Sequence, residues 1–297
     1  MTSLTERSAG HQRINNSTLT GRRIQASKVT VGAWMARGSL TLVILVYVLP
    51  VLYLILTSLK STAEFNRNPL GIPQSIEWSN FSNAWKQGSF AIFALNSLLY
   101  SIVGALIGTV ASLLLAFPVA RRYIRWSGHF QLFFVVALFL PNALVGQFQL
   151  LLKLGLYDNR IGYMLLLISG LGVGPLLLVG YLKSIPESMD EAAAMDGCSY
   201  WKYLWRFVVP LSRSALVTVF VLQAIGMWNE IIVATVVLSD PTKSPVSKGL
   251  YAFSGPYGTN VPLLASATMI VAGPLILIYI VLQRYIIAGA LGGSFKG

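Results

Sequence analysis

Four of the chain's ten acids, Glu187, Asp190, Glu191 and Asp196, fall within ten residues. No other stretch holds so many reactive groups. No histidine accompanies them, so they do not form a hydrolytic centre or a metal site of the usual kind. The two histidines, His11 and His129, lie far from the single cysteine, Cys198, which also excludes an intrachain disulfide. No lysine directly follows a glycine anywhere, so the phosphate-cradling sequence G-x-x-x-x-G-K-[ST] is absent. What these residue types can do is dock. Charges stand beside the small side chains of Ala192, Ala193 and Ala194, which leave a low surface suited to a groove on a partner.

The local sequence predicts a helix-turn-helix that positions those charges at the inner face of a membrane. Pro186 is placed to open a short helix, and Glu187, Asp190 and Glu191 favour its first turns. Gly197 permits a sharp turn or a C-terminal cap. A second, amphipathic segment follows with Tyr200, Trp201, Tyr203, Leu204 and Trp205.

The rest of the chain explains why a membrane is expected. Hydrophobic residues make up 55% of its 297 residues and charged residues only 11%, where soluble domains carry about 25%. So few charges cannot cover a water-soluble fold of this size, and a disordered chain is excluded as well. Apolar runs occupy 40–59, 95–120, 130–152, 161–182, 207–238 and 262–287. Each reaches the roughly 20 residues that cross a bilayer as helix, and continuous runs are not the alternation of a barrel. The expectation is an all-α integral membrane protein with six transmembrane helices. With both termini in the cytoplasm, inside segments hold 15 Lys and Arg and outside segments 7, which favours that orientation. The net charge of +12 is then basic loops facing anionic lipid, not a nucleic-acid surface, since the basic residues form no stripe. Residues 1–36 read as a flexible basic cytoplasmic tail without the apolar core of a cleavable signal, and 37–297 as the membrane domain.

Each run carries a proline: Pro50, Pro118, Pro141, Pro175, Pro210 and Pro274. Either these are the prolines common in membrane helices, or some mark a bend. Gly170, Gly172 and Gly174 with Pro175 weaken the fourth helix in mid-membrane. Gly104, Gly108 and Ser112 form a small-residue face for close helix packing. The run 207–238, as one helix, would be about 48 Å long and so strongly tilted or projecting. Glu230 is the only acid inside any run, either functional or interfacial. Asn142, Gln147, Gln149, Trp228, Asn229 and Glu230 offer the planar polar groups and aromatic face that hold a sugar; the alternative is that the amides bond neighbouring helices.

The acidic segment resembles the EAA loop of binding-protein-dependent ABC importer permeases. That motif runs Glu-Ala-Ala, three residues, Gly, nine residues, Ile, one residue, Leu-Pro. Here Glu191-Ala192-Ala193 is followed by Gly197, then Phe207, Val209 and Pro210. Further resemblance covers about 40–297 and points to the carbohydrate-uptake branch, similar to the second permease of maltose-type importers. It rests on Asn96-Ser97, Lys153 to Asn159, Trp228-Asn229-Glu230 and the ending from Gln283 to Gly297. The resemblance implies a type I importer (MetI-like) fold in a prokaryotic inner or plasma membrane. It implies a coupling loop at about 184–210, with Glu187, Asp190, Glu191, Ala192, Ala193, Asp196, Gly197 and Pro210 acting on an ATPase. It implies two copies of a P-loop ATPase that bind ATP and Mg, none bound by this chain; a second, different permease; an extracytoplasmic solute-binding protein; and a sugar or oligosaccharide as solute. By the same resemblance, Lys296-Gly297 reach the ATPase. Permeases for amino acids, peptides or polyamines share the loop and stay open as readings. An ion-coupled secondary transporter is the remaining alternative, against which stands the near absence of charge at mid-membrane.

Overall fold

A computed structural model describes residues 17–170, 172–255 and 258–292. The chain divides into two compact units, Met1–Leu54 and Ile55–Gly297. The first consists of most of α1 (Ser17–Ser58), whose apolar part, Ala33–Ser58, is long enough to cross a membrane. The helix starts within the stretch expected to be a flexible tail, of which 1–16 lie outside the described residues. No proline or N-terminal stop separates Ser17 from the apolar run, so a helix established there propagates backwards at little cost.

Among the described residues of the second unit, the elements are helices and one two-residue ladder, joined by loops. After α2 (Thr62–Arg67) and α3 (Ser79–Gln87) comes α4 (Phe90–Ala120), about 46 Å of continuous helix. Then follow α5 (Ser127–Phe139), α6 (Leu144–Lys153), α7 (Arg160–Ser169), α8 (Gly174–Lys183), α9 (Ser188–Met195) and α10 (Tyr200–Tyr203). A π-helical turn, Leu204–Val208, leads into α11 (Val209–Leu211), α12 (Arg213–Asn229) and α13 (Ile232–Val237). Strands β1 (Ser254–Gly255) and β2 (Gly258–Thr259) precede α14 (Val261–Gly292).

Three helices are long and apolar enough to span a membrane alone: Ala33–Ser58, Phe90–Ala120 and Val261–Val281. The other three expected spans are bent pairs. α5 and α6 meet at 103°, because Pro141 forces Leu140 into an extended conformation. α7 and α8 meet at 45° across Gly172, which has φ +57°, and Pro175 opens α8. The expectation of one tilted helix over 207–238 is corrected. The chain turns 81° between α11 and α12, and α12 ends at Asn229 before α13 begins. Pro210 lacks a donor, and the Ser212 hydroxyl donates to the Val208 carbonyl, so the helix changes axis there.

α4 is the axis of the unit and packs on α7, α8 and α12, while α12 packs on α14. The small-residue face works as expected from sequence. A Cβ on Gly104 would stand 2.7 Å from the Met227 sulfur, and one on Gly108 2.5 Å from Gln223 Oε1. The Gln223 amide donates to Ser112 Oγ at 3.2 Å, so the seam joins α4 to α12 by both shape and a hydrogen bond.

The start of α4 is fastened to the segment after α13. Asn96 Nδ2 donates to the carbonyls of Thr242 (2.8 Å) and Ser244 (3.0 Å), and Ser97 Oγ accepts from Val246 N at 2.7 Å. Asp158, between α6 and α7, takes a left-handed conformation (φ 50°). Its carboxylate accepts from the backbone N–H groups of Ser239 and Asp240, both at 3.0 Å, and pairs with Lys243 at 3.2 Å. These bonds hold the Asp158 carboxyl below its ordinary range, the Asp240 N–H contributing most. A lowered folded value means that this support is complete above the unfolded carboxylate pKa of about 3.9 and fades as the pH falls through the folded value. Replacing Asp158 with Asn should therefore lower the melting temperature of the purified chain at pH 7. The gap between variant and wild type should close when melting is repeated at progressively more acid pH.

Candidate functional site

The acidic segment forms the expected helix-turn-helix at the end of α4 opposite the Asp158 clip. α9 starts at Glu187, whose carbonyl accepts from Asp190 N (2.9 Å) and Glu191 N (3.2 Å). It ends in a Schellman arrangement: Cys198 N donates to Ala193 O at 2.9 Å and Gly197 N to Ala194 O at 3.0 Å. Gly197 has φ +67°, and a Cβ there would meet nothing within 4 Å. The turn and C-terminal cap expected at this glycine are present, and what they require of it is backbone conformation, not space.

One face of α9 is anchored. Asp190 Oδ2 lies 2.7 Å from Arg121 Nε, and the two side chains are 14% and 2% exposed. Arg121 caps the C-terminus of α4, where a cation suits the helix dipole, and its Nη1 donates to Ile185 O at 2.9 Å. The Tyr203 hydroxyl, from α10, donates to Asp190 Oδ1. Around this junction pack Phe117, Tyr200 and Tyr203, with ring centroids 5.4 Å and 6.1 Å from Phe117. Ala193 and Cys198 rest on the same apolar core, which includes Leu178, Leu182 and Leu204.

The other face is open. Glu187, Glu191, Ala192, Asp196 and Gly197 are exposed, and Met195, one turn after Glu191, is 88% exposed. The eight residues expected from sequence to act together thus divide. Asp190 and Ala193 point into the chain's own core. Five face outward, and Pro210 lies exposed at the α11–α12 bend. Arg121, Tyr203 and Met195 were missed by the sequence argument. Only Met195 carried a signal, its four-residue spacing from Glu191.

The residues expected to touch solute are not gathered into one cavity. Trp228 is 2% exposed and its Nε1 donates to Val271 O at 3.1 Å, so it joins α12 to α14. Asn229 is exposed and its amide returns to Ile225 O at 2.9 Å. Glu230 Oε1 accepts from Val233 N at 2.8 Å and so starts α13. Asn142 and Gln149 are exposed at the α5–α6 corner, and Gln147 is half-buried on α6. No hydrogen bond joins the two groups among the described residues. A cavity of about 210 Å³ lies instead where α7 and α8 break, lined by Gly170, Gly172, Gly174, Gln223, Gly226 and Met227 among others. No side chain of the six lines it.

Comparison with known proteins places this geometry. The model of the family described as binding-protein-dependent transport system inner membrane component matches residues 90–290. The chain is 28% identical over 285 residues to a diacetylchitobiose uptake system permease protein of Streptomyces coelicolor, covering 92% of each. It is 26% identical over 255 residues to a melibiose/raffinose/stachyose import permease protein of Bacillus subtilis, covering 84% of this chain and 91% of that one. Among solved structures, a bacterial ABC transporter involved in the import of the acidic polysaccharide alginate has a similar chain. It superposes with a TM-score of 0.69 at 22% identity, over 94% of this chain and 99% of that one. That likeness shows the fold.

The buried pair makes a specific demand. Removing one partner of a buried pair costs about 3–5 kcal/mol, while replacing both with apolar residues is often nearly neutral. Arg121→Met and Asp190→Leu should each lower the thermal stability of the purified chain strongly. The double variant should recover most of the loss, which a double-mutant cycle of melting curves measures.

Proposed function

Because this chain belongs to the family of binding-protein-dependent transport system inner membrane components, we propose that it is the permease subunit of an ATP-driven importer of a sugar or oligosaccharide. The family places it in the inner membrane. Sugar as the solute is supported by the printed names of its relatives, which take up diacetylchitobiose and the melibiose group of oligosaccharides. In this reading all three bent pairs complete a six-span bundle with both termini in the cytoplasm, and α9 projects on the cytoplasmic side. The greater share of Lys and Arg in the segments then inside supports that orientation.

The observation that carries the proposal is the two-sided construction of α9. A helix of eight residues has no stability of its own. It is held by a buried ion pair on one side and left open on the other, with Glu187, Glu191 and Met195 outward. Such a helix suits a cleft on a partner. Two copies of a P-loop ATPase, binding ATP and Mg, are the partners proposed, together with a second, different permease and an extracytoplasmic solute-binding protein. Met195 would enter an apolar hollow, and Glu191 would meet a basic group beside it. Asp190 and Ala193 would act on the ATPase only through the pose of the helix, and Gly197 through the turn that ends it.

Transport then follows as alternating access by rigid-body movement. Closure of the ATPase pair upon ATP displaces α9. The Arg121–Asp190 contact passes that displacement to α4, and the seam of Gly104, Gly108 and Ser112 passes it to α12. The breaks at 140–143 and 170–173 supply places where backbone can rearrange without unfolding a whole span. Asn142, Gln147, Gln149, Asn229 and Glu230 are proposed to reach solute in a state other than this one, Trp228 holding the end of α12 in place. The proposed roles of residues 1–16 and of Lys296-Gly297 fall outside the described residues.

The reading is tested by tagging the chain in its native membrane and identifying what copurifies. A P-loop ATPase and a second permease are expected, with uptake that requires ATP. A chain that purifies alone and transports on an ion gradient overturns the proposal. Within the complex, Glu191→Ala with Met195→Ala should reduce sugar-stimulated ATP hydrolysis and uptake about tenfold or more, the loss of roughly 1.4 kcal/mol of contact, with the melting temperature of the isolated chain unchanged.

A further inference from the structure

We propose that the turn between α4 and α5, together with the end of α8, forms a binding site for the headgroup of an anionic phospholipid. Arg121 turns inward to Asp190. Arg122 follows it in a left-handed conformation, φ 54°, which sends the chain the other way. Arg122, Arg125 and, from α8, Lys183 then line a hollow of about 260 Å³, together with Ser127, Gly128 and Gln131 at the start of α5. Lys183 Nζ donates to Gln131 Oε1 at 2.8 Å, a neutral partner that leaves its charge uncompensated. None of the three cations has a carboxylate within ion-pairing distance among the described residues. Three like charges around one hollow repel one another, and an anion seated among them relieves that repulsion.

The surroundings favour a lipid as the carrier of that anion. Gln131 continues along α5 to Val135 and Leu138, on one helical stripe, and these are 39% and 40% exposed. On α8, Gly180 stands one turn before Lys183, and a Cβ there would meet nothing within 4 Å. An acyl chain carried by a headgroup in the hollow would lie along Val135 and Leu138 and beside the open space at Gly180. Trp126, 60% exposed, and Tyr123, 53% exposed, flank Arg122 and Arg125 in the chain. Amphipathic rings collect where headgroups meet hydrocarbon. A phosphodiester on a glycerol backbone fits both parts: oxygens for the guanidinium groups, chains for the groove. A bound lipid would fix α5 against α4 and α8 next to the Arg121–Asp190 junction.

The site can be tested on the full chain, delipidated in neutral detergent and examined by native mass spectrometry with phosphatidylglycerol and phosphatidylcholine in equal amounts. Phosphatidylglycerol should be retained with about a tenfold preference or more. The variant carrying Arg122→Gln, Arg125→Gln and Lys183→Gln should lose that preference, keep its retention of phosphatidylcholine and keep its melting temperature. Equal retention of the two lipids by the wild type overturns the proposal, and so does a preference unchanged in the variant. Inorganic phosphate that binds as tightly as phosphatidylglycerol, and in its place, overturns it in favour of a free-anion site. If the variant keeps the lipid preference and instead releases a copurifying protein, the three cations belong to a protein interface and the lipid site is wrong.

Discussion

The ion pair between Arg121 and Asp190 is the contact on which the α9 end of this molecule depends. α9 is too short to exist as a helix in water without support, and its sequence buries no large apolar side chain. What gives it a fixed pose is one carboxylate held by a buried guanidinium and a tyrosine hydroxyl. A charge pair is an expensive way to hold a helix, since both ions must leave water. It has one property that an apolar contact lacks: direction. The guanidinium at the end of α4 and the carboxylate in the first turn of α9 fix angle as well as distance. The two helices consequently behave as one body through any movement in which that pair survives.

A second constraint comes from hydrocarbon, in which each backbone polar group must be satisfied. Two of the three bent pairs show how a break can satisfy it. The glycine-rich break between α7 and α8 lies against α12, where Gln223 bonds Ser112 of α4. The bend before α12 uses the Ser212 hydroxyl for the Val208 carbonyl. α4, unbroken from Phe90 to Ala120, packs on α8 and α12 beside these breaks. Its C-terminal end carries Arg121 and its N-terminal part carries Asn96 and Ser97, so both junctions refer to the same axis.

The residues that suggested a solute path illustrate how a polar group in an apolar run has more than one possible task. Trp228 and Glu230 complete helix ends and helix contacts in this state. Asn96-Ser97 and the stretch 153–159, which carried part of the resemblance, turn out to be fasteners of the segment after α13. The cavity at the α7–α8 break is lined by Gly170, Gly172, Gly174 and Gly226 beside apolar side chains such as Val219 and Met227, so part of its wall is backbone. Side-chain chemistry in the sequence cannot mark such a wall in advance.

The sequence by itself determined the class of the molecule. Apolar runs of membrane length leave helices as the only continuous solution, and the spacing from Glu191 to Gly197 to Pro210 marked the short helix, its cap and the turn beyond it. Those features are local: each follows from residues within a few turns of one another. It also marked Gly104, Gly108 and Ser112 as a packing face, since small residues at every fourth position share one side of a helix. The tertiary structure decided which of the acidic residues point outward, because that depends on Arg121, some seventy positions away, and on the core beneath Ala193. It decided where three spans break, because a proline or a glycine only permits a bend, and neighbouring helices must accept the freed backbone for it to occur. It likewise decided that Trp228 is buried and that Arg122, Arg125 and Lys183 share one hollow. These are facts about which distant segments meet, and periodicity along the chain carries no record of them.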